Sequence, residues 1–176
     1  MKPQLSHVGI FVTDSERMIR FYEEVLQLTV TDRGISSSAK LPITFMSSAP
    51  DQHHQFVLVQ GRAKDAPSTI NQLSFKVSSL AELREVAAKV AARGIKLRQT
   101  SHGNAWSIYF PDPEGNQVEI YLDTPWHVAQ PHGDPMDFSL SDEEIYAQTE
   151  KKVRADPTFK TKEAREVELA QMLGSR

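Results

Sequence analysis

The chain has 176 residues, 39% of them apolar, which is enough for one substantial core or two smaller ones and argues against general disorder. A net charge of −3, with no large Lys/Arg cluster, leaves no field for nucleic-acid backbones or anionic lipid. With no cysteine, thiolate catalysis, disulfides and sulfur-ligated metals are excluded, so any metal must be held by nitrogen and oxygen.

Residues 5–13, LSHVGIFVT, alternate with the period of a strand, and Asp14 or Ser15 caps a helix whose apolar positions are Met18, Phe21, Tyr22, Val25 and Leu26. Three strands are predicted next, at 28–33, 42–47 and 54–60, separated by GISSSAKLP and SSAPDQ. The order βαβββ then recurs. INQLSFKV is a strand, SLAE at 79–82 is a capping box, and the helix it opens runs through Leu83, Val86, Ala87 and Val90 to Gly94. Strands at 96–100, 105–110 and 116–122 complete the second copy. No segment approaches the roughly 18 apolar residues of a membrane span, and the amino terminus lacks a signal-peptide stretch. A cytoplasmic protein without membrane or nucleic-acid partners is expected.

The repeat has an offset of 65: His7 sits where Gln72 sits, and His54 falls opposite Glu119. Side chains alternate along strands, so the four positions are expected on one side of their sheets. After Leu122, DTPWHVAQPHGDP is too rich in proline for a regular element and reads as an extended arm. SDEE at 141–144 is a capping box for the first of two charged helices, 142–154 and 161–173, broken at Asp156-Pro157. Their thin apolar stripe, Ile145, Tyr146 and Val153, then Val167, Leu169, Met172 and Leu173, is expected to pack on the core or on a second subunit. The expected fold is α+β: two βαβββ units (3–62 and 68–123, within a domain 1–123) forming a curved mixed sheet around a metal cavity, followed by a helical extension, 124–176.

HVGIFV at a first strand and PDPEGNQVEIY at a last one resemble the vicinal oxygen chelate superfamily, which includes glyoxalases, bleomycin-binding proteins, fosfomycin-modifying enzymes and extradiol dioxygenases. Thr100, His102, Ile108-Tyr109, Asp112-Pro113, Gly115 and Glu119 are similar, in type and spacing, to the signature of type I extradiol ring-cleavage dioxygenases. The resemblance implies an iron(II) site made by His7, the residue at 72 and Glu119, with manganese(II) or another divalent metal as the alternative. Here position 72 is a glutamine where the pattern has a second histidine, and the exchange of a nitrogen donor for a harder oxygen weakens iron(II) and favours manganese or magnesium. The resemblance further implies that His54, or its neighbour His53, is the acid/base group, that His102 and Tyr109 steady the bound substrate, and that Asn104 assists near the dioxygen site.

The function implied is ring opening of a catechol-like diol by O2, in a homodimer. Two rivals stand beside it. One is an isomerase or lyase of the same fold; the other is a non-catalytic protein that binds a small aromatic or a drug. Several residues carry plainer readings. PDPEGN is a tight turn, His127 and His132 are surface or lid residues, and Trp106 and Trp126 fill a core or line a pocket.

Overall fold

The computed structural model describes residues 3–174. The chain divides into two compact units: residues up to Asn71 together with Pro111–Gln117, and Gln72–Phe110 together with the residues from Val118 on. Among the described residues no helix is long and apolar enough to cross a membrane.

Unit 1 contains β1 (Val8–Val12), α1 (Ser15–Leu26), β2 (Thr29–Ile35), β3 (Pro42–Ser47) and β4 (Phe56–Gln60). Its sheet has the order β1-β4-β3-β2, with β1 parallel to β4 and the other pairs antiparallel. The carboxylate of Asp14 accepts from the backbone N–H of Arg17 at 3.0 Å, which settles Asp14 as the cap of α1. Met18, Ile19, Tyr22 and Val25 are fully buried, and the Tyr22 ring lies 4.7 Å from that of Phe56. Burial of Met18, Ile19 and Val25 contributes on the order of 2 kcal/mol each. Alternate residues of β1 behave oppositely: Ile10 and Val12 are buried, whereas Phe11 is exposed.

The turn Pro111–Gln117, read in the sequence as a plain turn, is tied down within this unit. Asp112 is buried and accepts from the backbone of Glu114 and Asn116 (2.9 Å each), from Asn116 Nδ2 (2.7 Å) and from Tyr22 Oη (3.1 Å). Burial pushes the pKa of Asp112 up despite these donors, and burial followed by Asp112 pushes the Tyr22 phenol up. The Glu114 carboxylate accepts from Thr13 N (2.6 Å) and Asp14 N (2.9 Å), the two amides that lead into α1.

Unit 2 repeats the order with β5 (Leu73–Lys76), α2 (Leu80–Ala91), β6 (Arg98–Ser101), β7 (Ala105–Pro111) and β8 (Gln117–Asp123). The extension adds β9 (Trp126–His127), β10 (Asp134–Pro135), α3 (Asp142–Ala155), β11 (Lys160–Thr161) and α4 (Lys162–Gly174). The larger sheet has the order β10-β6-β7-β8-β5, with β5 parallel to β8. The arm is therefore partly regular: β10 pairs with β6 at the sheet edge, where a proline is tolerated, and β9 pairs with β11.

Ser79 caps α2, but the Glu82 carboxylate accepts from Ser78 N rather than from Ser79, so the expected box closes one residue early. The box at Ser141 and Glu144 is complete. Ile145, Thr149 and Val153 form the buried face of α3. Trp106 donates to Thr149 Oγ1 at 2.9 Å and Trp126 lies 4.5 Å from Tyr146, so both tryptophans serve packing of the extension. In contrast, α4 buries none of its residues, and Val167 and Met172 are exposed.

Candidate active site

Strand pairing builds one polar face on the unit 2 sheet. Residues directly opposite on neighbouring strands point the same way, and Ser74 pairs with Glu119, while Arg98 pairs with Tyr109. The alternate residues Leu73, Ile108, Val118 and Ile120 are buried core. An open pocket of about 400 Å³ on the polar face is lined by Ser74, His102, Asn104, Tyr109, Glu119 and Gln130, among others.

Glu119 is only 8% exposed, and one of its oxygens, Oε2, accepts from Gln72 Nε2 (2.9 Å) and Ser74 Oγ (2.6 Å). Its other oxygen accepts a hydrogen bond from Tyr109 Oη. Among the described residues it has no cationic partner. The Tyr109 oxygen is also 2.7 Å from His102 Nε2, and His102 Nδ1 lies 2.7 Å from the carbonyl of His132. A carbonyl only accepts, so Nδ1 carries a proton, and in the neutral ring Nε2 is an acceptor. The one phenolic proton then faces two acceptors, His102 Nε2 and Glu119 Oε1. Burial, followed by the hydrogen bond to and charge of Glu119, pushes the Tyr109 pKa up to about 12, so the phenol stays a donor at neutral pH.

Two further groups shape this wall. Gln130 of the arm donates to the His102 carbonyl (2.9 Å) and to Asn104 Oδ1 (3.2 Å), which fixes the side chain of Asn104. Gly103 adopts φ +73°, and a Cβ there would meet Val128 Cγ2 at 2.6 Å, so only glycine lets the arm approach this closely. Ser74 and Gln130 join the residues that the sequence pattern points to. Ser74 was findable, because it lies two residues after Gln72 on the same strand face; Gln130 sits in an aperiodic arm and gives no such signal.

The other expected site residues lie in unit 1. The rings of His7 and His54 are 4.3 Å apart, and His53 Nδ1 is 2.9 Å from His54 Nδ1. Loss of hydration, then His7 and His53, push the His54 pKa below the ordinary imidazole value, so it is a neutral base near pH 7. The repeat offset needs correction at the last strand. The pair matching Ser74–Glu119 is Gly9–Val57: the first strands keep the offset 74 − 9 = 65, but the last strands have 119 − 57 = 62. Val57 therefore stands where Glu119 does, and His54 precedes β4, because three more residues separate the first and last strands of unit 1.

Among the described residues, no three His, Asp or Glu side chains gather to hold a metal ion. The donor chemistry of the Gln72–Glu119 pair nevertheless fits a hard divalent cation. A buried carboxylate lacking a cationic partner stands beside an amide that now presents its N–H, and a half-turn of that amide would present its oxygen instead.

Residues 4–120 match the profile described as Glyoxalase/Bleomycin resistance protein/Dioxygenase superfamily. Over 124 residues the chain is 25% identical to the uncharacterized protein YwbC of Bacillus subtilis, covering 69% of this chain and 98% of that one. It is also 25% identical, over 128 residues, to biphenyl-2,3-diol 1,2-dioxygenase 3 of Rhodococcus globerulus, covering 69% of this chain and 64% of that one, just under two thirds of its length. Among solved structures, a mutant of the fosfomycin resistance protein FosX from Listeria monocytogenes, complexed with Mn(II) and 1S,2S-dihydroxypropylphosphonic acid, shares the fold. The TM-score is 0.56 at 19% identity, with 70% of this chain and 95% of that one covered. With its two βαβββ units and a profile match across most of the chain, the protein belongs to the glyoxalase/bleomycin resistance/dioxygenase superfamily.

Proposed function

We propose that this chain is a non-haem, metal-dependent extradiol-type dioxygenase that opens the ring of a small aromatic diol with O2. The observation that carries this reading is the His102–Tyr109–Glu119 array beside an open pocket. With a neutral imidazole the array is one proton short of satisfying both of its hydrogen bonds, and an acidic diol hydroxyl brings both a proton and an oxygen to it. Tyr109, kept protonated, donates to the substrate oxygen as charge develops there, and His102, oriented through Nδ1 by the His132 carbonyl, is the second group on that oxygen. Gln130 fixes Asn104 at the pocket edge, which suits a polar contact to dioxygen.

Glu119 and Gln72 would hold the metal, and His7 and His54 keep the roles that the sequence pattern implies, imidazole ligand and proton acceptor. The lowered pKa of His54 supports the latter role, since an acceptor must be neutral at working pH. Iron(II), when bound, would acidify the diol and supply the chemistry toward dioxygen. The similarity to a biphenyl-diol dioxygenase supports the same substrate class.

The test is oxygen uptake after anaerobic reconstitution with iron(II), against catechols from the unsubstituted ring to biphenyl diols, with the yellow ring-opened product followed in parallel. Uptake matched by product is expected. One iron per chain with no uptake on any diol overturns the proposal. Gln72 favours a second reading, a manganese(II) enzyme without redox chemistry, because the carboxamide hardens the ligand set. The FosX complex with Mn(II) and a dihydroxypropylphosphonic acid supports that alternative. Its mark would be tighter manganese than iron binding and turnover without oxygen consumption.

A further inference from the structure

We infer that Arg98, which shares the polar sheet face with the unit 2 pocket but lies outside its lining, is a specificity residue, and that the diol taken by that pocket reaches it with a carboxylate. The inference rests on the proposed diol site and names the class of substrate within it. Arg98 is paired with Tyr109 across β6 and β7, so both side chains stand on the sheet face that carries Glu119 and Ser74. Its guanidinium carbon lies 4.3 Å above the centre of the Tyr109 ring, one ring's reach from the hydroxyl that faces His102 and Glu119.

Several cations of unit 2 are balanced by carboxylates. Lys76 and Lys162, from β5 and α4, share Asp123 at 2.6 and 2.9 Å. In the same unit Arg84 is paired with Asp142, and Arg165 with Glu168. Arg98 has no carboxylate partner among the described residues; it donates one hydrogen bond, 2.7 Å, to Thr100 Oγ1 and rests on the aromatic face of Tyr109. A planar guanidinium presents five donors in a fixed fork, and most of them are uncommitted here. Arg98 itself is exposed, and its contacts to buried Thr100 and to the 8% exposed Tyr109 restrict where the fork can stand. A cation oriented in this way beside a phenol that binds the reacting oxygen matches an aromatic ring with hydroxyls at one end and a carboxylate at the other, bound bidentately.

The experiment measures equilibrium binding under anaerobic conditions, so that it does not depend on turnover. The probes are 3,4-dihydroxybenzoate and its uncharged amide, 3,4-dihydroxybenzamide, with the metal-reconstituted protein, Arg98→Met and Arg98→Lys. The wild type is expected to bind the carboxylate about ten- to a hundredfold more tightly than the amide. Arg98→Met should bring that ratio to about one, and Arg98→Lys, which keeps the charge but loses the fork, should fall between. Retained fluorescence of Trp106 and Trp126, both in unit 2, checks folding. An equal affinity for acid and amide in the wild type, or a ratio unchanged in both variants, overturns the inference. Oxygen uptake with the same compounds separates the two claims. An Arg98-dependent preference without uptake supports carboxylate recognition and removes the dioxygenase; uptake on neutral catechols without any preference removes the role of Arg98 and leaves the dioxygenase standing.

Discussion

Gly103→Ala perturbs the residue between His102 and Asn104, and the structure supplies the size of the effect. The backbone there has φ +73°, which costs an alanine roughly 1–2 kcal/mol. The new Cβ would lie 2.6 Å from Val128 Cγ2 and 3.1 Å from Val153 Cγ1. Both valines are fully buried, and a β-branched side chain has few alternative rotamers, so relief must come from moving the arm and α3. Overpacking of that kind adds about 1–3 kcal/mol, for a total of about 2–5 kcal/mol. Gly94→Ala is the control in the same unit: its φ is +69°, with no atom within 4 Å of the added Cβ, so it carries the backbone cost alone. Urea unfolding followed by tryptophan fluorescence reads unit 2 selectively, since both tryptophans, Trp106 and Trp126, belong to it. If Gly103→Ala loses no more stability than Gly94→Ala, the arm does not pack on the hairpin as described, and the placement of His132 and Gln130 around His102 falls with it.

Tyr109→Phe should lower turnover by about a hundred- to a thousandfold, the usual loss when one donor to a developing oxyanion is removed; an unchanged rate would take Tyr109 out of the mechanism. The same substitution tests the phenol's pKa. Because the folded value is raised to about 12, the stability it confers is complete below about pH 10 and lost as pH rises towards 12, so the wild type should weaken more than Tyr109→Phe across that interval in alkaline urea titrations. Gln72→His should raise iron affinity and ring-cleavage rate together, whereas Glu119→Ala should abolish metal binding; metal retained in Glu119→Ala would show that the ligand set is wrong. The His54 ring should titrate below the ordinary imidazole value in proton NMR, and a midpoint at or above it would remove the neutral-base argument.

The elements were legible wherever one periodicity and one capping residue agreed. Met18, Tyr22 and Val25 recur at helical spacing behind Asp14, and Ser141 stands three residues before Glu144; both helices begin where those residues place them. The site on unit 2 was legible because strand alternation and a fixed turn set Tyr109 and Glu119 on one face, where spacing alone carries the information. Register was less accessible. The unit 1 sheet pairs Gly9 with Val57 rather than with a residue three earlier, and that shift depends on the lengths of loops whose closure costs change little with a few added residues. A plain offset therefore puts His54 opposite Glu119, although the backbone does not. The proximity of His54 to His7 comes instead from the loop entering β4, whose N–H and C=O bonds begin with Val8 N donating to Gln55 O at 3.1 Å.

The Pro111–Gln117 turn, plain in the sequence, is closed by buried polar contacts. Tyr109 and Glu119 lie on the two strands joined by the Pro111–Gln117 turn, and Tyr109 donates to Glu119. Asp112 closes it with four hydrogen bonds, and Glu114 reaches the amides ahead of α1. Each bond is worth only about 1 kcal/mol net, but leaving the buried donors of Asn116 and Tyr22 unsatisfied costs more than the bonds return, which favours one geometry over its neighbours. The Asp-Pro-x-Gly-Asn turn is thus more than a plain connection: its buried polar contacts close the link between the strands that carry Tyr109 and Glu119.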